Sequence, residues 1–343
     1  MSFFSVCIPN FNYRAYLQLA CESVLAQDFT DYELVIADNN STDGSREYIT
    51  NLASRHSCVR YVINTCNLGF AGNLDKVTSL ATGNHFILLS SDDLMNAGSL
   101  RVYKKLIGAV GSRAVIGSSV FRIDGQGKVT DRSLPDVRYW RPGDQHAELS
   151  ALVGKPVYRV SAREMLQRCF KYMGNPYYFL SVCYPSSLYQ QVGGYGGGRL
   201  YGPDKWFNWK LFAVADYVYL VDEPLFSYRW HTQNQAALEA SSGHLKYLTD
   251  EYRNTMEVTD AMLSVAGITR VQFERNFVRC DIFKHGLGEY LKGRWTKSMR
   301  ILFFGLSCYP GYLLTHPLIL VYVFALLSTP VGARLARFIY LRK

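Results

Sequence analysis

Between Phe3 and Asp93, four short apolar runs each end in a cluster of polar side chains, and helical spacing fills the gaps between them. The runs are residues 3–8, closed by Pro9 and Asn10; 33–37, closed by the polar stretch 38–44; 59–63, followed by the loop 64–72; and 85–89, followed by Ser90, Ser91, Asp92 and Asp93. Leu17, Ala20, Cys21, Val24 and Leu25 recur at helical intervals in 16–27, as do Tyr48, Ile49 and Leu52 in 45–56, and a third helical segment ends near Gly83. Short strands alternating with helices of this length predict βαβ units and a doubly wound, mostly parallel α/β sheet with helices on both faces. Ligands bind beyond the carboxyl ends of the strands in such sheets, where the polar clusters fall. Residues 1–105 therefore read as a nucleotide-binding half-domain.

Further along, 101–111 reads as a helix and 114–122 as a strand, turning at Asp124, Gly125, Gln126 and Gly127. The stretch to about Val160 is rich in Pro, Gly and charge and reads as an irregular loop. Order returns with a strand over 181–189, a Gly-rich loop at 193–198, a helix over 206–214 and a strand over 217–221. Residues 106–235 complete the domain as its acceptor half, and 236–300 form a helical extension. A tail over 301–343 carries two apolar segments, 301–314 and 318–327, interrupted by Pro310, His316, Pro317 and Pro330. A spanning helix needs about twenty predominantly apolar residues. Broken segments followed by Arg334, Arg337, Arg342 and Lys343 fit helices lying in a membrane interface instead.

The formal charge of +9 suits phosphorylated substrates, anionic lipid or nucleic acid. No basic stripe with interleaved aromatics and no named nucleic-acid motif is present, so nucleic acid is not an expected partner. The eight cysteines form no CxxC pair, which argues against zinc ribbons and for a reduced compartment. No signal-peptide pattern opens the chain.

Asp92 and Asp93 leave a strand end in different directions, because side chains alternate. One carboxylate can take a divalent metal and the other a ribose hydroxyl, and hard oxygen ligands suit Mg²⁺ or Mn²⁺ on a diphosphate. The alternative is an Asp that caps the next helix. The two glycines of Asn67-Leu68-Gly69-Phe70-Ala71-Gly72-Asn73 open a helix whose amides can face a diphosphate, or simply make a tight turn.

Taken in order, SVCIPNFN, VIADNNSTDGS, NLGFAGN and ATGNHFILLSSDD resemble the inverting family 2 glycosyltransferases of GT-A fold, over roughly residues 3–231. The resemblance implies that Pro9, Phe11 and Asn12 lie at the nucleoside, with Phe11 near the base and Asp38 bonded to it. Asn39 occupies a position often held by a second Asp, and Ser91 one where an additional Asp is common. Asn67, Gly69 and Asn73 would face the donor, and similar segments occur in family members that act on deoxysugars such as rhamnose. Asp92 would contact ribose and sugar, and Asp93, with His231, the metal. Asp204 stands where the family places its general base, although Pro203 replaces the Glu that usually precedes it.

The function implied is inverting transfer of a sugar from a nucleoside-diphosphate sugar to an acceptor hydroxyl, assisted by Mg²⁺ or Mn²⁺. The acceptor would be a lipid-linked saccharide of polysaccharide or O-antigen synthesis, and the enzyme peripheral or monotopic at the cytoplasmic face of a membrane. A non-catalytic nucleotide-sugar or glycan-binding protein on the same fold is the rival. A nucleotidyltransferase would need a Gly-rich, Lys- or Arg-bearing first loop, which Pro9-Asn10-Phe11-Asn12 is not.

Overall fold

The computed structural model describes residues 2–196, 202–232, 234 and 244–320. The chain divides into two units, Met1–Cys169 with Asn175–Ala237, and Phe170–Gly174 with Leu238–Lys343.

In the first unit, β1 (Phe4–Asn10), α1 (Arg14–Leu25), β2 (Tyr32–Asp38), α2 (Ser45–Arg55), β3 (Val59–Ile63), α3 (Gly69–Ser79) and β4 (His85–Leu88) follow the expected alternation. β1 pairs in parallel with β2 and β4, and β2 in parallel with β3. Every residue of β1 is buried, as a strand covered on both faces requires. Phe4, Val6 and Ile8 join Leu17, Ala20, Cys21 and Val24 of α1 in one apolar core. Glu33 fastens this corner. Burial by itself would raise its pKa, but hydrogen bonds from Ser5, Thr82 and Arg60 outweigh burial and hold the carboxyl below its ordinary value. Gly83 lies against β1 so closely that a Cβ there would meet the Ser5 amide nitrogen at 2.7 Å.

Beyond β4 come β5 (Leu94–Met95), α4 (Ser99–Ile107), β6 (Ala114–Ile123), β7 (Val129–Arg132), α5 (Ala147–Val153), β8 (Val157–Ser161), α6 (Ala162–Tyr172), β9 (Cys183–Pro185), α7 (Ser186–Val192), α8 (Pro203–Val214) and β10 (Tyr217–Arg229). The sheet order is β3-β2-β1-β4-β9-β6-β10-β5, with β7 on β6 and β8 on β10. Here the expectation of a mostly parallel sheet needs correction. β6 and β10 are parallel, but β9 lies antiparallel to both β4 and β6, and β5 and β8 run antiparallel to β10. The sheet is mixed.

Three local expectations also change. The supposed loop up to Val160 contains β7, α5 and β8. The strand predicted over 181–189 ends at Pro185, which has no N–H for the ladder and stands at the N-cap of α7. The strand predicted over 217–221 continues to Arg229, and register shifts on either side of Pro224 absorb the proline.

The second unit is helical: α9 (His244–Glu257), α10 (Asp260–Ala266), α11 (Arg270–Phe277), a π-helical turn (Val278–Lys284), α12 (His285–Leu291), α13 (Trp295–Cys308) and α14 (Pro310–Thr315). Thr259 and Thr269 cap α10 and α11 through their hydroxyls. The apolar segment expected to lie in a membrane interface contributes side chains to the core of this unit. Ile301, Leu302 and Leu313 are buried, and a Cβ on Gly305 would meet Ile282 at 2.6 Å. Phe303, Leu314 and Leu320 keep an exposed apolar face. Among the described residues no helix is long and apolar enough to cross a membrane. The apolar residues 321–327 and the terminal arginines lie outside the described residues.

Candidate active site

The carboxyl ends of β1 and β2 are joined by side chains rather than by backbone alone. Asn10 Nδ2 donates to Asp38 Oδ1 at 2.8 Å, and Asp38 Oδ2 accepts the Ser41 amide at 2.9 Å. Asp38 is fully buried, so its placement below the loop is set by these bonds. The Asn12 amide donates to Ser41 Oγ, and its Oδ1 accepts from the Thr42 amide, which holds Asn12 at a φ of 56°. Pro9 is buried in β1. Phe11 projects beside Asn12 with 41% of its surface exposed, as a ring awaiting a stacking partner would be. Among the described residues the buried Asn10 Oδ1 has no hydrogen-bond partner.

A lattice of asparagines carries this arrangement to β3 and α3. Asn39 donates to Asn67 Oδ1 at 2.7 Å, and accepts from Asn64 and the Leu68 amide. Asn73 accepts from Asn64 at 2.9 Å and donates to the Ala37 carbonyl at 3.0 Å. The Gly69 amide at the start of α3 is itself taken by Asn67. Gly69 has a φ of 73°, which suits glycine at that entry. An Asp at position 39 could accept but not donate, so the neutral residue is what this lattice requires.

At the end of β4 the two adjacent aspartates separate. Asp92 Oδ2 lies 3.1 Å from His231 Nε2, and both side chains keep some exposure, 13% and 9%. Asp93 is buried; its Oδ1 accepts the Arg229 amide at 2.8 Å. Burial and the neighbouring Asp92 charge drive the Asp93 carboxyl well above the ordinary carboxylate range. Of the two aspartates it is Asp92 that touches His231 directly, while Asp93, expected with His231 as a metal ligand, fastens the β4–β5 turn to β10. Arg229, also buried, donates Nε to the Asp92 carbonyl at 2.7 Å and Nη1 to the carbonyls of Asp124 and Gly125. Its guanidinium lies 4.9 Å from the Tyr16 ring centre. Tyr13 and Tyr16 flank the His231 ring at 5.7 and 4.9 Å. Burial, followed by the Asp92 charge, raises the Tyr13 phenol above its ordinary pKa.

Asp92 and His231 offer two donors on one side. Among the described residues no three His, Cys, Asp or Glu side chains converge as a metal site. That chemistry fits a Mg²⁺ or Mn²⁺ completed by diphosphate oxygens and water, since such ions commonly keep only one or two protein ligands.

Asp204 belongs to a different cluster. It stands in the first turn of α8, after Gly202 at a φ of 53° and Pro203 at the first helical position. Asn175 Nδ2 donates to Asp204 Oδ2 at 2.8 Å, and Asn208 orients Asn175 through a 2.9 Å bond to its Oδ1. Burial raises the Asp204 pKa, with bonds from the Lys205 amide and Asn175 opposing it. A carboxylate raised in this way and oriented by Asn175 and the Lys205 amide can accept a proton.

Tyr13, Tyr16, Arg229, Asn64 and Asn175 escape a reading based on motifs. Tyr13 and Tyr16 are three apart on a helix entry and so share a face, a signal the sequence does carry. Asn175 has none.

Residues 5–171 match the family described as glycosyl transferase family 2. An uncharacterized glycosyltransferase of Nostoc sp. is 34% identical over 131 residues, 38% of this chain and 40% of that protein. The GalNAc(5)-diNAcBac-PP-undecaprenol beta-1,3-glucosyltransferase of Campylobacter jejuni is 32% identical over 97 residues, 28% of this chain and 31% of that one. The abequosyltransferase of Salmonella typhimurium is 35% identical over 101 residues, 29% of this chain and 30% of its own. The matched segments thus span well under half of these curated relatives. Among solved structures, S. aureus TarS 1-349 in complex with UDP-GlcNAc superposes with a TM-score of 0.62 at 15% identity, over 99% of this chain and 88% of that one. The Pyrobaculum calidifontis mannosyltransferase in complex with GDP-Man and Mn2+ gives 0.52 at 14%, over 99% and 87%. The fold is theirs, and residues 5–171 match glycosyl transferase family 2.

Proposed function

We propose that the protein is an inverting, metal-assisted glycosyltransferase that uses a nucleoside-diphosphate sugar and a saccharide acceptor. The observation that carries this reading is the separation of two centres in one unit: an Asp92–His231 pair for the leaving diphosphate and a raised, amide-held Asp204 for the incoming hydroxyl. The acceptor oxygen bonds to the anomeric carbon as the bond from that carbon to the diphosphate oxygen breaks, and Asp204 takes the hydroxyl proton. A single displacement of this kind inverts the anomeric centre. Phe11 stacks on the base, while Asn10 Oδ1 and the Asn12–Ser41 junction receive the nucleoside. Asp92 and His231 would hold the divalent ion, which supplies Lewis-acid charge to the departing diphosphate. Tyr13, Tyr16 and the buried Arg229 fix the orientation of that pair.

A lipid-linked acceptor, in polysaccharide or O-antigen assembly, is our reading from the name of the Campylobacter relative, whose acceptor is an undecaprenol diphosphate saccharide. Within the second unit, Arg275, Arg279 and His316 border a cavity of about 420 Å³, and Phe303, Leu314 and Leu320 are exposed. The Arg275 and Arg279 guanidiniums and these exposed apolar side chains suit peripheral or monotopic association with the anionic cytoplasmic face of a membrane.

The test is a panel of UDP-, GDP-, CDP- and dTDP-sugars, scored by thermal shift with Mn²⁺ or with chelator and followed by proton NMR of the first product. The expected result is Mn²⁺-dependent stabilisation by one donor class and a product anomer opposite to that of the donor. Donor binding without any nucleoside diphosphate release, whatever saccharide is added, would favour a non-catalytic binder instead.

A further inference from the structure

A cavity of about 500 Å³ opens in the first unit between β6 and the segment 175–178, outside the donor and metal positions. That size lies within the ~300–1,000 Å³ range of small-molecule sites. It is lined by the partly exposed Tyr178 and the buried Trp140 and Tyr177, together with the polar groups of Ser119, Arg122 and Arg132. The charges are already matched. Arg132 pairs with Asp222 at 2.7 Å and Arg122 with Asp131 at 3.6 Å, while Arg122 also donates to the Tyr178 hydroxyl at 2.8 Å. Ser119 Oγ donates to the same Asp222 at 2.8 Å. A cavity whose guanidiniums are internally neutralised does not call for a phosphate or other anion. The Tyr178 ring set beside hydroxyl, carboxylate and guanidinium groups matches a neutral sugar, which has an apolar C–H face and a rim of hydroxyls.

Two features tie this cavity to the reaction centre. Asn175, which lines it, is the residue that holds Asp204. On the rim a row of rings leads away: Tyr178 to Tyr228 at 5.9 Å, then Tyr228 to Trp230 at 6.5 Å. Tyr228 and Trp230 are two apart, so they face the same way while Arg229 turns inward. Trp230 is 58% exposed and directly precedes His231, the partner of Asp92.

We propose that the cavity and this aromatic row form one groove that binds the acceptor across more than one sugar unit, so that the acceptor is a neutral oligosaccharide segment rather than a single sugar. This rests on the glycosyltransferase reading above. A groove of this kind contributes binding remote from the reacting hydroxyl, which makes the enzyme sensitive to acceptor length.

The experiment applies the full chain, with UDP and Mn²⁺, to immobilised neutral monosaccharides, disaccharides and longer oligosaccharides, and compares it with Trp230→Ala and Ser119→Leu. Wild-type retention should rise with oligosaccharide length. Removing the exposed ring should weaken retention of the longer members about three- to tenfold, the worth of one aromatic contact, and filling the cavity should do at least as much. Donor binding by thermal shift should not change in either variant. Trp230 is at the surface, so its variant tests the groove even if Ser119→Leu fails to fold. Retention that is independent of length, unaltered in Trp230→Ala, or absent from the wild type overturns the groove. Loss of donor binding and nucleoside diphosphate release in the wild type would instead overturn the glycosyltransferase reading on which it rests.

Discussion

Burial raises the pKa of the Asp204 carboxyl, and the Lys205 amide and Asn175 recover only part of the ionised form's stability. A raised carboxylate contributes stability below its unfolded pKa, and that contribution is lost as pH rises through the folded value. At neutral pH the ionised Asp204 therefore works against the fold. Asp204→Asn should lower transfer about 10²- to 10⁴-fold, the usual reach of general-base catalysis, while raising the melting temperature at neutral pH. A helix-capping role would give the reverse, near-normal turnover with lost stability. The neighbouring aspartates should separate in the same way. Asp92→Asn should weaken Mn²⁺-dependent donor binding with little change in melting temperature. Asp93→Ala should leave the buried Arg229 amide without an acceptor and cost about 1–3 kcal/mol of stability, measurable by denaturant titration.

Among the elements, β1, β2 and α3 form the polar floor proposed to receive the donor, and their packing is dictated by two unusual demands. One is the asparagine lattice. Asn39→Asp removes the donor to Asn67 and places a charge at a buried site, so donor affinity should fall together with stability, unlike at Asp92. The other is Glu33, whose pKa is held down by Ser5, Thr82 and Arg60 against the effect of burial. A lowered carboxylate stabilises above its unfolded pKa, and this is lost as pH falls through the folded value. Glu33→Gln should therefore destabilise the protein at neutral pH, with the difference from wild type vanishing in acid. Equal destabilisation at both pH values would assign Glu33 a purely steric role.

The beginnings of these elements were legible in the sequence because each strand ends on a polar cluster, and because SVCIPNFN and SSDD sit at the carboxyl ends where ligands gather. The face that each aspartate presents was not legible. It depends on how β10 meets the β4–β5 turn, and the register shifts around Pro224 reset that relation. A one-residue slip moves a strand's side chains to the opposite face, and no motif reports a slip. Asn175 was invisible for a related reason, since its importance comes only from being brought to Asp204 across 29 residues of chain.

For the molecule as a whole, the asparagine lattice, the Asp92–His231 pair and Asp204 all lie in the first unit, while the second unit is helical and exposes Phe303, Leu314 and Leu320. A chain ended after Leu320 should retain donor binding, because the residues assigned to the donor precede Asn234. Ending it near Met299 should not leave an intact second unit, because Ile301, Leu302 and Leu313 are part of that unit's core. Vesicle flotation with anionic lipid, run beside donor thermal shift on both truncations, checks this: the longer chain should bind donor normally and float less than wild type.

The central claim is that Asp204 takes the acceptor proton while Asp92 and His231 serve the leaving diphosphate. Single-turnover transfer of a radiolabelled sugar, at saturating donor and Mn²⁺, tests it most directly across a range of pH in wild type, Asp204→Asn and Asp92→Asn. The wild-type rate should fall in acid as the raised Asp204 carboxyl becomes protonated, and Asp204→Asn should be slow and without that acid limb while its donor affinity is unchanged. Asp92→Asn should keep the acid limb but need far more donor to reach its maximum. An acid limb that persists in Asp204→Asn at near wild-type rate would contradict the account, because the proton would then be leaving to another group.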